Sequence, residues 1–101
     1  MRWIGTETGL PTYPVWSTNS AYAAAGQGTA NGKVFNPAES DTTFYAIDHW
    51  FWSPDPQFKI REMANLKAIY HHTVGQNNNL LMNFAPDNTG RLPASHVARY
   101  A

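Results

Sequence analysis

Cysteine is absent from the 101-residue sequence. Disulfide bonds, thiolate metal sites and cysteine nucleophiles are therefore excluded. An excess of positive or of negative charge is also absent, because seven Lys and Arg residues balance seven Asp and Glu residues. Nucleic acids and anionic membranes attract proteins with a basic surplus, so this balance argues against both as the main partner.

Long apolar runs and signal segments are missing as well. No stretch of the sequence approaches the roughly 20 apolar residues that a membrane-spanning helix needs. The N-terminus lacks the charged and then apolar pattern of a signal peptide, and the sequence assigns no cellular compartment. The histidines follow no metal-binding spacing, since His71 and His72 are adjacent and would point about 100° apart on a helix. We predict neither a metal nor a cofactor.

Aromatic side chains are what the sequence has in unusual amount. Trp, Tyr and Phe together make up 14% of the chain, the same share as all charged residues. Two interpretations fit this composition. The rings form the core, or they form a carbohydrate site in which rings stack on sugar C–H faces while Asn, His and carboxylate groups bind the hydroxyls. Composition alone favours the first interpretation.

Chain breakers and apolar periodicity predict an alternation of strands and helices. The predicted elements are a strand at 2–5, an irregular stretch at 6–34 with one helical turn at 20–25, a strand from 34 to near 39, a helix at 57–74, a strand at 80–84 and a helix that starts at 93.

The longer helix carries the clearest signals. The sequence predicts Asp55 as the N-cap with Pro56 at the first helical position, and Gly75 as a left-handed stop. Apolar residues recur every three or four positions and predict one apolar stripe. They are Ile60, Met63, Leu66, Tyr70 and Val74.

This order of elements predicts an α/β fold with a parallel sheet. A complete (β/α)8 barrel needs at least about 200 residues, so the 101 residues form one unit that holds about three of the βα repeats. A partial TIM-like barrel of this size leaves strand edges open. We therefore expect it to be completed by oligomerisation or by a partner chain.

Carboxylates follow two of the predicted strands. Glu7 lies just beyond the first, and Glu39 and Asp41 lie at the end of the second. Barrels keep catalytic groups in the loops after their strands, and glycoside hydrolysis uses two carboxylates. The alternative, which is commoner for a loop carboxylate, is that these groups only cap backbone N–H groups.

Six short motifs in sequence order resemble the α-L-fucosidases of glycoside hydrolase family 29, in the subgroup of plant enzymes and of enzymes acting on α-1,3/1,4-linked fucose. The resemblance extends from Arg2 to about Pro93. The motifs are Arg2-Trp3-Ile4-Gly5-Thr6-Glu7-Thr8-Gly9-Leu10-Pro11, Trp16-Ser17-Thr18, Pro37-Ala38-Glu39-Ser40-Asp41, Trp50-Phe51-Trp52, Val74-Gly75-Gln76-Asn77 with Asn79-Leu80-Leu81-Met82-Asn83, and Ala85-Pro86-Asp87-Asn88-Thr89-Gly90.

The resemblance implies a retaining hydrolase of fucosylated glycans, of which residues 1–101 form the C-terminal part of the catalytic barrel. It implies that Glu7 is the general acid/base. With less detail it implies that Glu39, Trp50 and Trp52 belong to the fucose pocket.

One departure from the family pattern concerns the nucleophile. The resemblance implies an Asp upstream of the Arg-Trp motif, in a Trp-x-Asp-Gly-like strand end, and no Asp of this sequence stands in such a motif. Double displacement needs this covalent acceptor. We therefore expect a fragment or subunit that is incomplete alone, and the alternative is a non-catalytic fucose-binding or self-assembling barrel fragment.

Overall fold

The computed structural model describes all 101 residues, which form five strands and two helices. A 3₁₀ turn at Val74–Gln76 follows the first helix. Neither helix has the length and hydropathy of a membrane span. The elements are β1 Arg2–Trp3, β2 Thr18–Asn19, β3 Val34–Phe35, β4 Ala38–Thr43, α1 Met63–Thr73, β5 Asn78–Asn83 and α2 Ala94–Tyr100.

The main sheet is parallel and has the strand order β1-β4-β5. Arg2 lies opposite Ala38, and β4 pairs with β5 from Ala38–Asn78 to Thr43–Asn83. Because all three strands run in one direction, their carboxyl ends meet at one edge. The prediction of a mixed α/β fold around a parallel sheet is confirmed, and its completion into a barrel stays a prediction.

The long segment between β1 and β4 is more ordered than the sequence predicted. β2 and β3 form an antiparallel pair. The helical turn predicted at 20–25 is wrong, because Ala25 instead makes a parallel bridge with Trp3. Backbone hydrogen bonds from Trp3 to Ala24 and from Gly26 to Trp3 secure this bridge. The outer edge of β1 is thereby covered by the chain itself.

A buried arginine holds this segment against the sheet. Arg2 is 2% exposed, and its guanidinium donates to the carbonyl of Gly26 over 2.7 Å and to the carbonyl of Trp16. Gly28 passes so close that a Cβ there would lie 2.5 Å from both the Arg2 guanidinium and the Trp16 carbonyl oxygen. Only glycine fits this approach, and its φ of +85° is also one that glycine adopts readily.

The second strand differs from its prediction. Pro37 separates β3 from β4, and β4 continues to Thr43 instead of ending near Glu39. This central strand has the polar sequence Ala-Glu-Ser-Asp-Thr-Thr, so a search for runs of apolar residues does not predict it. Its Ser40 and Thr42 are nevertheless fully buried.

The first helix begins at Met63, so the predicted start at 57 is wrong. Asp55 does form a hydrogen bond of the capping type, because its Oδ1 accepts from the backbone N–H of Gln57 over 3.0 Å. The chain then extends instead of coiling, since Ile60 forms an antiparallel bridge with Tyr45. Tertiary pairing outweighs the local capping signal here.

The end of the helix also differs from the prediction. Gly75 lies within the 3₁₀ turn, and the left-handed residue is Asn77, with a φ of 64°. Asn is one of the few residues besides glycine that visits this conformation routinely. The turn at Asn77 leads directly into β5, which starts at Asn78 and not at the predicted Leu80.

The apolar stripe on α1 is partly exposed, with Leu66 half-buried. Met63 is 45% exposed and Tyr70 53%, whereas Ile69 and Thr73 are fully buried. Ile69 packs against Gly9, where an added Cβ would lie 2.9 Å from the Ile69 side chain. The α1 part of the stripe lines an open groove of about 600 Å³. Leu80 and Met82 of β5, Phe84 just after β5 and Tyr100 of α2 form the rest of the groove.

The predicted C-terminal helix is confirmed, with Pro93 at its N-cap. Its His96 is 4% exposed and packs 5.5 Å from the Phe44 ring and 5.2 Å from the Tyr45 ring. The Nδ1 atom of His96 is buried without a hydrogen-bond partner. Burial of this side chain lowers the pKa of His96 below its ordinary value.

His96 makes the stability of the fold dependent on pH. Because the folded pKa is lowered, the unfolded state binds more protons just below about pH 6.5. We expect the free energy of unfolding to fall as pH drops from the ordinary histidine pKa through the lower folded value. Urea unfolding of His96→Phe should show a smaller pH slope in this window, whereas His72→Gln, at an exposed site, should keep the wild-type slope. Equal slopes for wild type and His96→Phe would contradict the expectation.

Candidate functional site

A cleft of about 670 Å³ lies at the carboxyl ends of β1 and β4. Parallel sheets place their ligand sites at this edge, because loops from neighbouring strands converge there. The lining residues are Trp3, Gly5, Thr6, Glu7, Thr8, Leu10, Ala46, Asp48 and Arg61.

Glu7 reaches the cleft on a loop whose backbone is fixed. The Thr42 hydroxyl of β4 donates to the Glu7 carbonyl oxygen over 2.7 Å. The Thr8 hydroxyl accepts from the backbone N–H of Leu10 over 3.1 Å, and Gly9 turns the chain with a φ of +74°. The Glu7 residue itself is exposed. The loop therefore presents an accessible carboxylate from a supported backbone.

The opposite wall comes from the loop after β4. The Thr43 hydroxyl lies 3.0 Å from the carbonyl oxygens of both Tyr45 and Ile47, which share its single proton. His49 stacks on Phe58, with ring centroids 3.9 Å apart and an interplanar angle of 17°. These contacts hold both residues that flank Asp48.

Asp48 carries the second carboxylate that lines the cleft. Its Oδ1 accepts a hydrogen bond from Nε1 of the Trp50 indole over 2.7 Å. Trp50 is half-buried and Asp48 is exposed. The predicted sugar-binding ring is thus connected to the cleft through a carboxylate that the sequence did not single out as part of the site.

Arg61 contributes a positive charge to the same cleft. Its Nε donates to the Thr43 carbonyl over 2.7 Å, and its Nη2 donates to the Thr42 hydroxyl over 3.1 Å. Burial lowers the pKa of Arg61. An arginine starts so far above neutral pH that it keeps its charge. It therefore provides a fixed cation near two carboxylates.

Glu39 lies within β4, and the prediction that it stands at a strand end is wrong. Strand residues alternate between faces. Leu80 and Met82 line the groove beside α1 and pair with Ser40 and Thr42, so Glu39 lies on the other face of the sheet.

The Glu39 carboxylate belongs to a small polar cluster on that face. Its Oε2 accepts from the side-chain amide of Asn79 over 2.7 Å. Asp41 follows on the same face, and burial, the Glu39 charge and a hydrogen bond to Glu39 raise the pKa of Asp41. Trp3 is the register partner of Glu39 and also lines the cleft, so the cluster adjoins the cleft without lining it.

No protein-family model matches the chain. Alpha-L-fucosidase 1 of Arabidopsis thaliana is 31% identical over 112 residues, which cover 96% of this chain and 20% of that protein. The Ruminococcus gnavus fucosidase of glycoside hydrolase family 29, solved in complex with fucose, superposes with a TM-score of 0.80 at 26% identity, over 98% of this chain and 21% of that one.

The chain is related to the α-L-fucosidases of glycoside hydrolase family 29. A member of that family from an unknown rumen bacterium superposes with a TM-score of 0.75 at 29% identity and covers 98% of this chain. The chain spans only 18% of that structure and 20% of the Arabidopsis protein. The predicted relationship to the family is confirmed, and the predicted subgroup and barrel portion stay proposals.

The cleft gathers only part of the predicted site. Glu7 lines it, and Trp50 contacts one of its lining residues. Glu39 adjoins it from the sheet, whereas Trp52 is half-buried and does not line it. No group of three or more His, Asp or Glu side chains that could hold a metal ion is present.

Three lining residues were missed as site residues by sequence reasoning. Trp3 stands in the same Arg-Trp motif as Glu7, and this proximity was an available signal. Arg61 was counted within the predicted helix, which hid its extended position beside Thr42 and Thr43. Asp48 lies two residues before Trp50, a spacing at which carboxylates often form local hydrogen bonds.

Proposed function

We propose that the chain is the C-terminal part of the catalytic barrel of a retaining α-L-fucosidase, with Glu7 as its general acid/base. The observation that carries this proposal is the placement of the motif carboxylate. Glu7 lies in a cleft at the carboxyl ends of parallel strands, in a chain related to family 29 over nearly its whole length. Catalytic groups of (β/α)8 enzymes lie at this edge.

The chemistry assigned to Glu7 has two steps. It first protonates the glycosidic oxygen of the leaving group and then, as a carboxylate, removes a proton from the attacking water. Retaining hydrolysis also needs a nucleophilic carboxylate about 5–5.5 Å from the acid/base. Asp48 shares the cleft but lies outside the motif pattern that the family resemblance implies for the nucleophile. We therefore assign the nucleophile to a polypeptide segment outside these 101 residues.

The proposed substrate is a fucosylated glycan, bound through rings and polar groups near Glu7. Glu39, Trp50 and Trp52 are assigned to the fucose pocket. A tryptophan face suits the apolar, methyl-bearing side of fucose, while a carboxylate accepts hydrogen bonds from sugar hydroxyls. Trp50 has the most direct support, because its indole is bonded to a residue of the cleft.

A companion polypeptide or further copies of the chain would complete the barrel. β5 is the last strand of the sheet and leaves one edge unpaired. Trp3 is 41% exposed and Leu81 45% on the face of the sheet that carries Glu39. A closed barrel buries both features, since it has no strand edges and fills its interior with side chains.

Complementation tests this function directly. Hydrolysis of an aryl α-L-fucoside would be measured for the chain alone and for the chain mixed with Arabidopsis alpha-L-fucosidase 1 truncated before its matching region. We expect no turnover by either piece alone and turnover by the mixture, with an aryl β-D-glucoside left intact. Light scattering on the same samples would report the assembly that restores activity.

Two outcomes would contradict the proposal. Turnover by the chain alone would refute the need for an external nucleophile. An inactive but assembled mixture that quenches tryptophan fluorescence with L-fucose would instead favour a non-catalytic fucose-binding fragment. That second function has one specific support, which is the indole held beside a cleft that contains two carboxylates and an arginine.

A further inference from the structure

We propose that Asp48 is a positioning residue that fixes the indole ring of Trp50 beside the Glu7 cleft. The inference rests on the proposed function, because it gives Trp50 a sugar-stacking role there. Asp48 was not among the site residues expected from the sequence or from the family resemblance. The direct observation is the contact of 2.7 Å between Trp50 Nε1 and Asp48 Oδ1.

This hydrogen bond constrains the ring because of its chemistry. An indole has a single N–H donor, which lies in the plane of the ring. Bonding it to a fixed acceptor therefore restricts the rotation of the ring about its side-chain torsions. A carboxylate acceptor makes a shorter and stronger bond than a neutral one. The bond occupies the edge of the indole and leaves its faces available for stacking.

Asp48 can act as a fixed acceptor because both of its neighbours are anchored. The Ile47 carbonyl accepts from the Thr43 hydroxyl over 3.0 Å. His49 stacks on Phe58 and also lies edge-on to Tyr45, with ring centroids 5.7 Å apart. The loop is thus tied to the end of β4 and to the segment before α1.

The location of Asp48 and Trp50 indicates that fixing the indole ring assists sugar binding. Asp48 lines the cleft that also contains Glu7 and Arg61. Trp50 does not line the cleft itself, but its indole is bonded to this wall, from which a fixed ring can meet the apolar face of a sugar whose leaving oxygen lies near Glu7. Since a loose ring loses rotamer entropy when a sugar orders it, a ring fixed beforehand binds more tightly.

The position of the indole is measured first, without any sugar. The four tryptophans give four indole N–H signals in a ¹⁵N-labelled sample, and Trp50→Phe identifies the one from Trp50. In Asp48→Ala we expect this signal to move upfield and to exchange faster with water. Asp48→Asn keeps an oxygen acceptor and should largely preserve the signal. Asp55→Ala, in a separate exposed turn, should leave it unchanged.

Fucose affinity is measured next, by tryptophan fluorescence on the assembled protein. We expect Asp48→Ala to weaken binding about 2- to 10-fold, the range of one net hydrogen bond, and Asp48→Asn to recover most of that loss. The inference is overturned if the Trp50 signal is unmoved in Asp48→Ala, or if Asn and Ala weaken fucose binding equally. Failure of wild-type protein to respond to fucose would refute the sugar-binding role itself, while the indole signal would still test the positioning of the ring.

Discussion

Glu7→Gln is expected to lower fucoside hydrolysis by the complemented protein about 100- to 10,000-fold, the usual contribution of a general acid/base. Gln has nearly the same shape as Glu but neither donates a proton to the leaving oxygen nor takes one from water. The fold should be unaffected, because the contact that fixes this loop runs from the Thr42 hydroxyl to the backbone carbonyl of residue 7. The measurement is kcat/KM with an aryl α-L-fucoside.

The control for Glu7→Gln is Glu62→Gln. Glu62 is an exposed carboxylate that does not line the cleft, and its ion pair with Arg99 over 3.0 Å contributes little as a surface pair. It should leave kcat/KM within about twofold of wild type.

The leaving group provides a further check on the role of Glu7. The dinitrophenolate group of a dinitrophenyl fucoside leaves without being protonated. The rate of the first chemical step should therefore fall much less in Glu7→Gln with this substrate than with an unactivated glycan. An equal loss for both substrates, or activity of Glu7→Gln close to that of Glu62→Gln, would refute the acid/base assignment.

Local signals in the sequence predicted the order of the main elements but not their limits. The alternation of strand, helix, strand and helix was correct because Pro, Gly and apolar runs mark it within a few residues. The length of β4 was underestimated because this strand is polar. Its Ser40 and Thr42 are buried as fully as apolar side chains. Burial of this kind depends on neighbouring strands and leaves no periodic apolar pattern.

The helix α1 shows why periodicity alone does not identify the core. Its most apolar stripe, which includes Met63 and Tyr70, faces an open groove, while the buried face is marked by Ile69 and Thr73. The groove lies between the helix and β5. A sequence reports which face of a helix is apolar, and the assembly decides which faces are covered.

The candidate site also contains some residues that local sequence predicts and others that only the fold brings together. Glu7 could be predicted because its motif and its position after a strand are local features. The convergence of Asp48 and Arg61 on Glu7 could not, since three separate segments form this cleft. Glu39 was expected at a strand end, whereas it lies within β4 and bonds Asn79 of the neighbouring strand. Contacts between strands require the register, which the sequence alone does not provide.

The packing behind the site depends strongly on one aromatic residue. Phe44 follows β4 directly and is 1% exposed. Its ring lies 4.5 Å from the Phe84 ring and 5.5 Å from the His96 ring, so it joins the ends of two strands to α2. Its backbone carbonyl also accepts from the N–H of Arg61 over 2.9 Å. Loss of this ring would therefore loosen the strand that leads into the Asp48 loop.

Phe44→Ala is expected to lower the free energy of unfolding by about 3–5 kcal/mol, because it removes a large buried ring and leaves a cavity. Small domains have a total of about 5–15 kcal/mol, so the variant should lose much of its stability. Urea unfolding followed by circular dichroism measures the change. Phe51→Ala is the matched control, since Phe51 is 79% exposed and should change stability by less than about 0.5 kcal/mol. Equal unfolding midpoints for the two variants would show that Phe44 does not carry this part of the core.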